Sequence, residues 1–376
     1  MTLRIRTKYD YRYAINTAYQ RLAEVNMGNE KMRIMTERPL NAETPVDSLH
    51  TWTTDNSVFF KRNQGHFSDT PVALSDWTLS IAGQVHKELV LTFEDICRLP
   101  KVELANTLEC SGNGRSLLKE KASGNPWTIG GVGNAIWGGV WLRELLVRAG
   151  LKDDANHVSF EGFDQPLGSA GIKFIRSIPL DKAIESTLLA YEMNGEPLPV
   201  EHGYPLRALA LGWTGANCVK WLKRITVLEN PQEGFFMDKV YRVFQKGEDP
   251  QKGEIVRGIS IKSIIFEPVK DQTLPVGLVP IRGSAYAGEA GIRQVEVSVD
   301  DGSTWQPAQF IGLNEEYAWR HWEYLWDVRQ PGKYTVMARA TDADGRRQPD
   351  TASWNVLGYN NNGIREHSIK VNISGG

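Results

Sequence analysis

The stretch Thr107-Leu108-Glu109-Cys110-Ser111-Gly112-Asn113-Gly114-Arg115-Ser116 joins a strand-like run to a glycine-rich turn that carries one cysteine and one arginine. Two interpretations of Cys110 are open. A free cysteine is commonly a small buried hydrophobic residue, whereas its thiolate is a metal ligand. A neighbouring cation such as Arg115 lowers the pKa of a thiol and favours the ligand form. Gly112 and Gly114 permit a sharp turn or the close approach of a bulky ligand.

Length and composition describe a protein of about two domains. The chain has 376 residues, of which 41% are hydrophobic and 23% charged. Its formal net charge of -2 gives no reason to expect a nucleic acid or a membrane surface as partner. The sequence contains no apolar run long enough to cross a bilayer, and its first residues lack the apolar core of a secretory signal. We therefore expect a cytoplasmic location, or a periplasmic one if a leader has been removed.

The cysteines and histidines exclude several common site types. The three cysteines, Cys97, Cys110 and Cys218, form no C-x-x-C pair and no C-x-x-C-H sequence. A disulfide framework, a structural zinc site and a covalently attached haem are therefore not expected. The sequence also lacks H-E-x-x-H and the phosphate-binding G-x-x-x-x-G-K-[ST] loop.

Upstream of the cysteine turn, about seventy residues are predicted to form an irregular arm, because prolines such as Pro39, Pro45 and Pro71 interrupt it. The segment Ser57-Val58-Phe59-Phe60-Lys61-Arg62-Asn63 stands out within this arm. Two interpretations are open. Its apolar pair anchors in a core while Arg62 enters a neighbouring cleft, or the segment is an edge strand with a solvated basic end.

Periodicity predicts a mixed α/β unit around the cysteine. We predict strands over residues 79–83, 102–108 and 157–162, and helices over 92–99, 140–149 and 180–192. Thr92 and Asp95 suit a capping box, and Gly150 suits a helix C-cap. Residues 124–139 contain too many glycines for an ordinary helix or strand, and suit either a flat ligand lying against backbone or a long surface loop.

Beyond about residue 256 the pattern changes to short strands separated by turns. Strands are predicted over residues 260–266, 295–299 and 334–340, and Asp300-Asp301-Gly302-Ser303 is a hairpin signal. This pattern is typical of a β-sandwich, including the immunoglobulin-like type. Trp319, Trp322 and Trp326 either fill the core of the sandwich or form an exposed face that a second subunit covers.

A second group of polar residues lies downstream, where His202, Arg207 and Lys220 occur among glycines and aromatics and suit contacts to a phosphate or a polar ring. Together with the cysteine turn, this region resembles the sulfite oxidase family of molybdenum enzymes. The resemblance covers the chain from about Val58 onward. It depends on the order and spacing of six segments: Phe59-Phe60-Lys61-Arg62-Asn63, Cys110-Ser111-Gly112-Asn113-Gly114-Arg115, Tyr191-Glu192-Met193-Asn194-Gly195, His202-Gly203-Tyr204-Pro205-Leu206-Arg207, Gly215-Ala216-Asn217-Cys218-Val219-Lys220-Trp221 and Trp354-Asn355.

The resemblance implies an α+β fold. It places a sulfite oxidase-type mixed α/β molybdopterin domain at residues 1–255, with the arm at about 1–70, and an immunoglobulin-like dimerisation domain at 256–376. The implied activity is the oxidation of sulfite to sulfate at a mononuclear molybdenum-pterin centre. Without a haem in this chain, electrons would pass to an external acceptor, a c-type cytochrome or oxygen. A homodimer is also implied.

The same resemblance assigns the site residues. Cys110 matches the metal ligand, a soft thiolate suited to molybdenum. The residues matching catalytic positions are Arg62, Cys110, Arg115, Trp127 and Tyr241. Those matching cofactor-binding positions are Phe60, Arg62, Asn63, Cys110, Asp164, His202, Arg207, Asn217, Val219 and Lys220. Arginine forks bind small oxyanions through charge-assisted hydrogen bonds, which suits Arg62 and Arg115 to a sulfite pocket.

Two departures from the family pattern affect the substrate pocket. Gln64 replaces a histidine of animal-type members, and Leu357 replaces an arginine that follows the Trp-Asn pair. A weaker positive pocket suggests either weaker sulfite binding or a different substrate. The competing interpretations are therefore a molybdenum enzyme of the same fold acting on another oxyanion or sulfur compound, and a non-enzymatic immunoglobulin-like interaction protein.

Overall fold

The computed structural model describes residues 32–67, 72–166 and 171–375, so the first part of the predicted arm lies outside the described residues. Strands dominate the described chain. The amino-terminal part (residues 32–255) contains β1 (Arg33–Glu37), β2 (Leu40–Glu43), β3 (Thr78–Gly83), β4 (Leu89–Thr92), β5 (Val102–Glu109), β6 (Val132–Trp141), β7 (His157–Gly162), β8 (Ile175–Pro179), β9 (Thr187–Met193), β10 (Glu196–Pro197), β11 (Arg207–Ala210), β12 (Leu222–Leu228), β13 (Arg242–Val243) and β14 (Glu254–Ile255).

The carboxyl-terminal part (residues 262–375) contains β15 (Lys262–Glu267), β16 (Thr273–Pro275), β17 (Gly277–Tyr286), β18 (Ile292–Ser298), β19 (Gln306–Pro307), β20 (Gln309–Ile311), β21 (Arg320–Val328), β22 (Gly332–Asp342) and β23 (Ile369–Ser374). The described residues form only four short α-helices, α1 (Phe93–Cys97), α2 (Leu142–Ala149), α3 (Leu180–Ser186) and α4 (Phe235–Asp238). None of the helices in the described ranges is both long and apolar enough to cross a membrane.

Two five-stranded sheets form most of the amino-terminal part, and β1-β2 and β13-β14 form two small two-stranded sheets. One five-stranded sheet has the order β4-β3-β12-β7-β8, and the other has β10-β9-β6-β5, with β11 also paired to β9. Local signals set the start of α1 and the end of α2 as predicted. Thr92 and Asp95 form a complete capping box at the start of α1, and Gly150, with a φ of 67°, ends α2. The predicted strands over residues 79–83, 102–108 and 157–162 are confirmed.

Two predictions in this part are wrong. The helix predicted over residues 180–192 ends at Ser186, and the chain continues as strand β9. All seven β9 residues are buried, so both faces are covered and the alternation that marks a half-exposed strand is missing. Residues 132–139, expected to be neither helix nor strand, belong to β6 (Val132–Trp141). Glycine in β6 allows the backbone of the neighbouring strand β9 to approach closely. A Cβ on Gly139 would lie 2.1 Å from the Leu189 carbonyl oxygen.

The segment that precedes the first large sheet is also more regular than expected. β1 and β2 form an antiparallel hairpin, and Lys61 makes an isolated bridge to Ala42 beside it. Phe59 and Phe60 are buried in the core with Trp127 and Trp137. The interpretation in which the aromatic pair anchors the segment is therefore confirmed.

Two sheets of the carboxyl-terminal part share one core. Their orders are β15-β17-β21-β20 and β16-β23-β22-β18-β19, and the core between them includes Ile281 and Trp322 from the first and Val297 and Val371 from the second. The predicted strands and the hairpin that follows β18 are confirmed. Trp319 and Trp322 are fully buried and Trp326 nearly so, which excludes the exposed tryptophan face.

A separate apolar cluster joins the two parts of the molecule. It contains the buried residues Leu49, Val132, Ile259, Ile264, Phe266, Tyr286 and Trp319. Strand β5 runs beside this cluster, because the Thr107 hydroxyl accepts a hydrogen bond from Trp319 N and Thr107 N donates to Tyr317 O. The end of β5, where Cys110 lies, is thus held against the carboxyl-terminal part.

Candidate active site

A cavity opens at the end of β5, and it contains about 700 Å³ of empty space, including solvent at its mouth. Several loops that the sequence singled out meet there. The lining residues are Phe60, Arg62, Asn63, Gln64, Leu108, Cys110, Ser111, Asp164, Phe174, His202, Arg207, Gly215, Ala216, Cys218, Lys220, Trp221 and Tyr241. Segments more than 150 residues apart in sequence are therefore brought to one site.

Cys110 lies in a tight turn on the wall of this cavity. Its N–H donates to Gly131 O at 2.8 Å and its carbonyl accepts from Asn113 N at 2.8 Å, while Gly114 adopts a φ of 85°. Burial raises the pKa of the Cys110 thiol, and the positive charges of Arg62 and Arg115 oppose that rise. The expectation that Arg115 favours the thiolate has the right direction, but in the protein alone burial outweighs it.

Arg115 and Trp127 do not line the cavity. The Arg115 guanidinium donates from Nε to Leu357 O and from Nη1 to Asn125 O, both at 2.7 Å, and lies 5.4 Å from the Tyr359 ring centroid. Trp127 is fully buried and packs edge-on against Phe60. Both residues stand behind the cavity wall, so in this structure they support it rather than face a ligand.

Positive side chains dominate the cavity. Arg62, Arg207 and Lys220 line it, whereas among the described residues of the lining Asp164 is the lone carboxylate. Arg207 donates from Nη1 to His202 O at 2.8 Å, and its Nε has no hydrogen-bond partner within the described chain. Lys220 donates to Asn63 Oδ1 and, at 2.7 Å, to Glu201 O. Buried cations need an opposite charge, so this wall is suited to an anionic ligand.

The titratable groups on this wall respond to burial. Desolvation lowers the pKa of Lys220 and of His202 well below their usual values, and other cations nearby lower both further. Desolvation also raises the pKa of Asp164 to about 6, against the attraction of Lys220. Each of these pKa shifts favours the neutral form of its group. An anion in the cavity would act in the opposite direction on Lys220 and raise its pKa.

The shifted pKa of Asp164 gives a testable dependence of stability on pH in the cofactor-free protein. The folded state keeps this proton up to about pH 6, whereas the ordinary value is 3.8, so the free energy of unfolding falls as pH rises through that window. At pH 7 the cost reaches about 3 kcal/mol, at 1.36 kcal/mol per pKa unit. In urea unfolding, Asp164→Asn should therefore gain stability relative to the parent at pH 7 and lose that advantage near pH 4.

Exposed Asp154 provides the control for this measurement. Asp154→Asn should show no comparable gain between pH 4 and pH 7. A stability difference between Asp164→Asn and the parent that stays constant with pH would contradict the prediction.

Tyr241 is held from three sides. Gln64 Nε2 donates to its hydroxyl oxygen at 2.6 Å, and Tyr359 stacks on its ring with 5.5 Å between centroids. The guanidinium of Arg176 lies 5.1 Å from the same ring centroid. Tyr241 has a φ of 57°, which is uncommon for a residue with a side chain and points to a position fixed by its surroundings. Tyr241 thus has a fixed position in the lining of the cavity that also contains Cys110 and Arg62.

Sequence reasoning missed Arg176 and Tyr359. Arg176 is fully buried and donates to Asn217 Oδ1 at 3.0 Å and to Phe236 O. Neither residue belongs to a motif, and only the folded chain places them against Tyr241. Gln64 stood out in the sequence as a departure, and its bond to Tyr241 gives it a place in the site.

Two residues expected to bind the cofactor lie outside the cavity lining. Asn217 donates to the Val256 and Thr214 oxygens and accepts from Arg176, so its side chain is occupied within the protein. Val219 is buried in the core between the two amino-terminal sheets. The other expected cofactor-binding residues, Phe60, Arg62, Asn63, Cys110, Asp164, His202, Arg207 and Lys220, all line the cavity.

These residues fit the molybdopterin that the sequence implies. The unmatched cations suit its phosphate, the aromatic side chains of the lining suit a flat ring, and Cys110 supplies a soft ligand. Across residues 32–67, 72–166 and 171–375, no three His, Cys, Asp or Glu side chains cluster as a metal site. A metal in this cavity would therefore depend on Cys110 and on the ligands that its own cofactor carries.

Comparison with known proteins identifies both parts of the chain. Residues 66–236 match the family described as "Oxidoreductase molybdopterin binding domain", and residues 254–373 match "Mo-co oxidoreductase dimerisation domain". Among solved structures, the sulfane dehydrogenase SoxCD from Paracoccus pantotrophus is 28% identical with a TM-score of 0.79, covering 92% of this chain and 91% of that one.

Curated relatives extend over nearly the whole chain. Mitochondrial sulfite oxidase of Rattus norvegicus is 33% identical over 92% of this chain and 66% of the relative. Sulfite oxidase of Gallus gallus is 32% identical over 87% of this chain and 75% of the relative, and that of Arabidopsis thaliana is 31% identical over 88% and 91%. A nitrate reductase of Phaseolus vulgaris, 32% identical, is matched over 41% of its length. The resemblance inferred from the sequence is confirmed, and the chain belongs to the sulfite oxidase family of molybdopterin-binding oxidoreductases.

Proposed function

We propose that this protein oxidises sulfite to sulfate and passes the electrons to an external acceptor. The observation that carries the proposal is the convergence of Cys110, Arg62 and Tyr241 on one cavity whose cations outnumber its carboxylates. Relatives named sulfite oxidase over most of the chain support the choice of substrate. When bound, the molybdenum-pterin group supplies the two-electron redox chemistry and the transfer of oxygen.

In this proposal the chain's own residues bind the cofactor and the substrate and orient them. Cys110 holds the metal as its thiolate, which coordination keeps deprotonated. Arg207 and Lys220 hold the pterin phosphate. Arg62 binds the oxyanion through charge-assisted hydrogen bonds. The Tyr241 hydroxyl, oriented by Gln64, donates a hydrogen bond to a substrate oxygen and assists proton movement there.

The proposal is tested by metal analysis and an acceptor screen. Purified protein should contain molybdenum and pterin in proportion to the chain, which a non-enzymatic interaction protein would not. The loaded protein is then assayed with sulfite against ferricyanide, cytochrome c and oxygen in parallel. Absence of sulfite-dependent reduction of all three acceptors would refute the proposed function.

A second candidate is oxidation of another sulfur compound by the same centre. Leu357 takes the place of a cation, and Arg115 is engaged by the Leu357 and Asn125 carbonyls. Arg62 lines the cavity, but its Nη1 donates to Asn41 Oδ1 at 3.1 Å and to Asn63 O, so part of its guanidinium is also occupied. The similar SoxCD structure is that of a sulfane dehydrogenase. A pocket with less positive charge suits a sulfur compound whose negative charge density is lower than that of sulfite.

Adding a cation at position 357 tests whether the substrate pocket lacks positive charge. Leu357 packs beside Tyr241, so Leu357→Arg should add a positive charge near the substrate site. One charge-assisted hydrogen bond contributes about 1.5–3 kcal/mol, so we expect KM for sulfite to fall roughly tenfold or more. Steady-state kinetics at low and high salt measure the effect, with Leu357→Gln as the uncharged control. Equal KM values for the two variants would contradict the prediction.

We also propose a homodimer formed through the carboxyl-terminal part, which we class as an immunoglobulin-like sandwich and separate from the catalytic domain near residue 255. The match to a dimerisation domain supports this assembly. Leu278 and Leu325 are largely exposed, and they share one face of the β17–β21 pair, because Leu325 lies opposite Pro280. Sedimentation analysis of the parent protein tests the assembly.

A further inference from the structure

A buried polar network connects the cysteine turn to the carboxyl-terminal part. Its centre is Glu109, the residue that directly precedes Cys110. One oxygen of Glu109 accepts from Lys262 Nζ at 2.5 Å, from Tyr286 Oη at 2.9 Å and from Asn113 Nδ2 at 2.9 Å. Lys262 is 1% exposed and belongs to β15, and Tyr286 ends β17. Two elements of the carboxyl-terminal part therefore hold the residue beside the metal ligand.

The network continues into the turn itself. Asn113, which donates to Glu109, also accepts from Gly131 N at 2.9 Å through its side-chain oxygen. Gly131 in turn accepts the N–H of Cys110. The position of Glu109 is thus transmitted to both ends of the cysteine turn by hydrogen bonds within the amino-terminal part.

The backbone of the turn receives further contacts from the carboxyl-terminal part. Asn361 Nδ2 donates to Gly114 O at 2.6 Å, and Asn360 N donates to Ser111 O at 3.0 Å. Gly114 packs against His367, because a Cβ added there would lie 3.1 Å from His367 Nε2. The turn is therefore in direct contact with the carboxyl-terminal part at Ser111 and Gly114.

Stability alone is a weak reason for such a network. A buried ion pair commonly contributes no more than well-packed apolar residues of similar volume, because both charges must be removed from water. Removing one partner alone strongly lowers the free energy of unfolding, because the other charge is left buried without a partner. An ion pair to the residue next to a metal ligand also holds the backbone there in place. It thereby orients the side chain of the ligand.

We propose that Lys262 is a positioning residue for Cys110, and that the carboxyl-terminal part completes the active site by fixing the turn that carries the metal ligand. This inference rests on the proposed molybdenum-dependent function. Lys262 does not line the cavity and touches no substrate, so it acts through Glu109. The carboxyl-terminal part would then serve catalysis within each chain, whether or not two chains associate.

The test compares Lys262→Met with a matched control, Lys182→Met. Lys182 is also buried, and its Nζ forms an ion pair across the same boundary with Glu289 at 2.6 Å, but its hydrogen bonds go to Glu289 and Leu211 and not to the cysteine turn. For each protein we would measure molybdenum content, thermal unfolding, kcat and KM for sulfite, and the electron paramagnetic resonance spectrum of the Mo(V) state after chemical reduction.

Lys262→Met should change the Mo(V) spectrum and lower kcat about 10- to 100-fold, with KM little changed, because outer contacts of metal ligands have effects of this size. Lys182→Met should leave the Mo(V) spectrum and kcat unchanged. Lys262→Arg, which keeps the charge, should recover much of the parent's spectrum. Identical Mo(V) spectra for Lys262→Met and the parent, at equal metal content, would overturn the inference.

Should Lys262→Met fail to fold, the double variant Lys262→Met with Glu109→Gln decides the question with the same spectrum, because it removes both charges of the ion pair and leaves neither buried without a partner. A changed spectrum supports the inference and an unchanged one overturns it. A parent protein without molybdenum, or without sulfite turnover, would instead refute the proposed function, so the two failures are distinguishable.

Discussion

Replacing Cys110 with serine is expected to abolish sulfite oxidation while the protein keeps its fold. Serine is similar in size to cysteine, and its oxygen accepts the Gly112 N–H that now faces the sulfur. It is, however, a hard ligand that stays protonated, and thus a poor substitute for a soft thiolate. We expect kcat to fall about 1,000-fold or more, which corresponds to about 4 kcal/mol of lost transition-state stabilisation.

Three measurements define this experiment: kcat with sulfite, molybdenum per chain, and the unfolding temperature. Cys97→Ser provides the control, because Cys97 ends α1 and does not line the cavity. Its activity should equal that of the parent. If Cys110→Ser retained molybdenum and oxidised sulfite within tenfold of the parent rate, Cys110 would not be the metal ligand.

Replacing Lys220 with methionine is expected to separate cofactor binding from stability. Lys220 is a buried cation whose pKa is lowered well below its usual value, chiefly by desolvation. Removing the charge of Lys220 removes the free-energy cost of desolvating it. Methionine keeps an apolar stem beside Trp221. The same change removes a charge-assisted contact to the pterin phosphate worth about 1.5–3 kcal/mol. Cofactor affinity should fall roughly 10- to 150-fold, and the cofactor-free protein should unfold at the same or a higher temperature.

The measurements are pterin and molybdenum content after purification at limiting cofactor, and thermal unfolding of the cofactor-free protein. Lys223→Met is the matched control. Lys223 lies three residues further along the chain on β12, outside the cavity lining, and pairs with Glu161 at 3.2 Å. It should retain full cofactor content. Parent-like cofactor content in Lys220→Met would contradict the assignment of Lys220 to the phosphate.

Local signals in the sequence predicted what local contacts determine. The capping box at Thr92 and the C-cap at Gly150 involve residues within four positions of each other, so their residue types suffice. Strand β9 was missed for the opposite reason. Its burial on both faces comes from neighbouring sheets, and a fully buried run carries no period that separates strand from helix.

The candidate active site shows the same difference between features that the sequence predicts and features that depend on tertiary contacts. The family motifs placed Arg62, Cys110 and Lys220 at one cavity, and the structure brings them together. The direction of Arg115 was not predictable from its motif. Its guanidinium folds back over Gly112, where an added Cβ would lie 2.3 Å from Arg115 Nη2. The role of that glycine is therefore to accept an arginine side chain, which only the tertiary structure reveals.

The contact between Asn361 and Gly114 joins residues 247 positions apart, and it has a consequence for biosynthesis. A ribosome makes the cysteine turn long before it makes Asn360 and Asn361, so the turn lacks its enclosing partners while most of the chain is being translated. Long-range contacts of this kind form late and slowly. We therefore expect the cysteine turn to gain all its enclosing contacts only after translation has passed residue 361, and the cofactor to be loaded after that point.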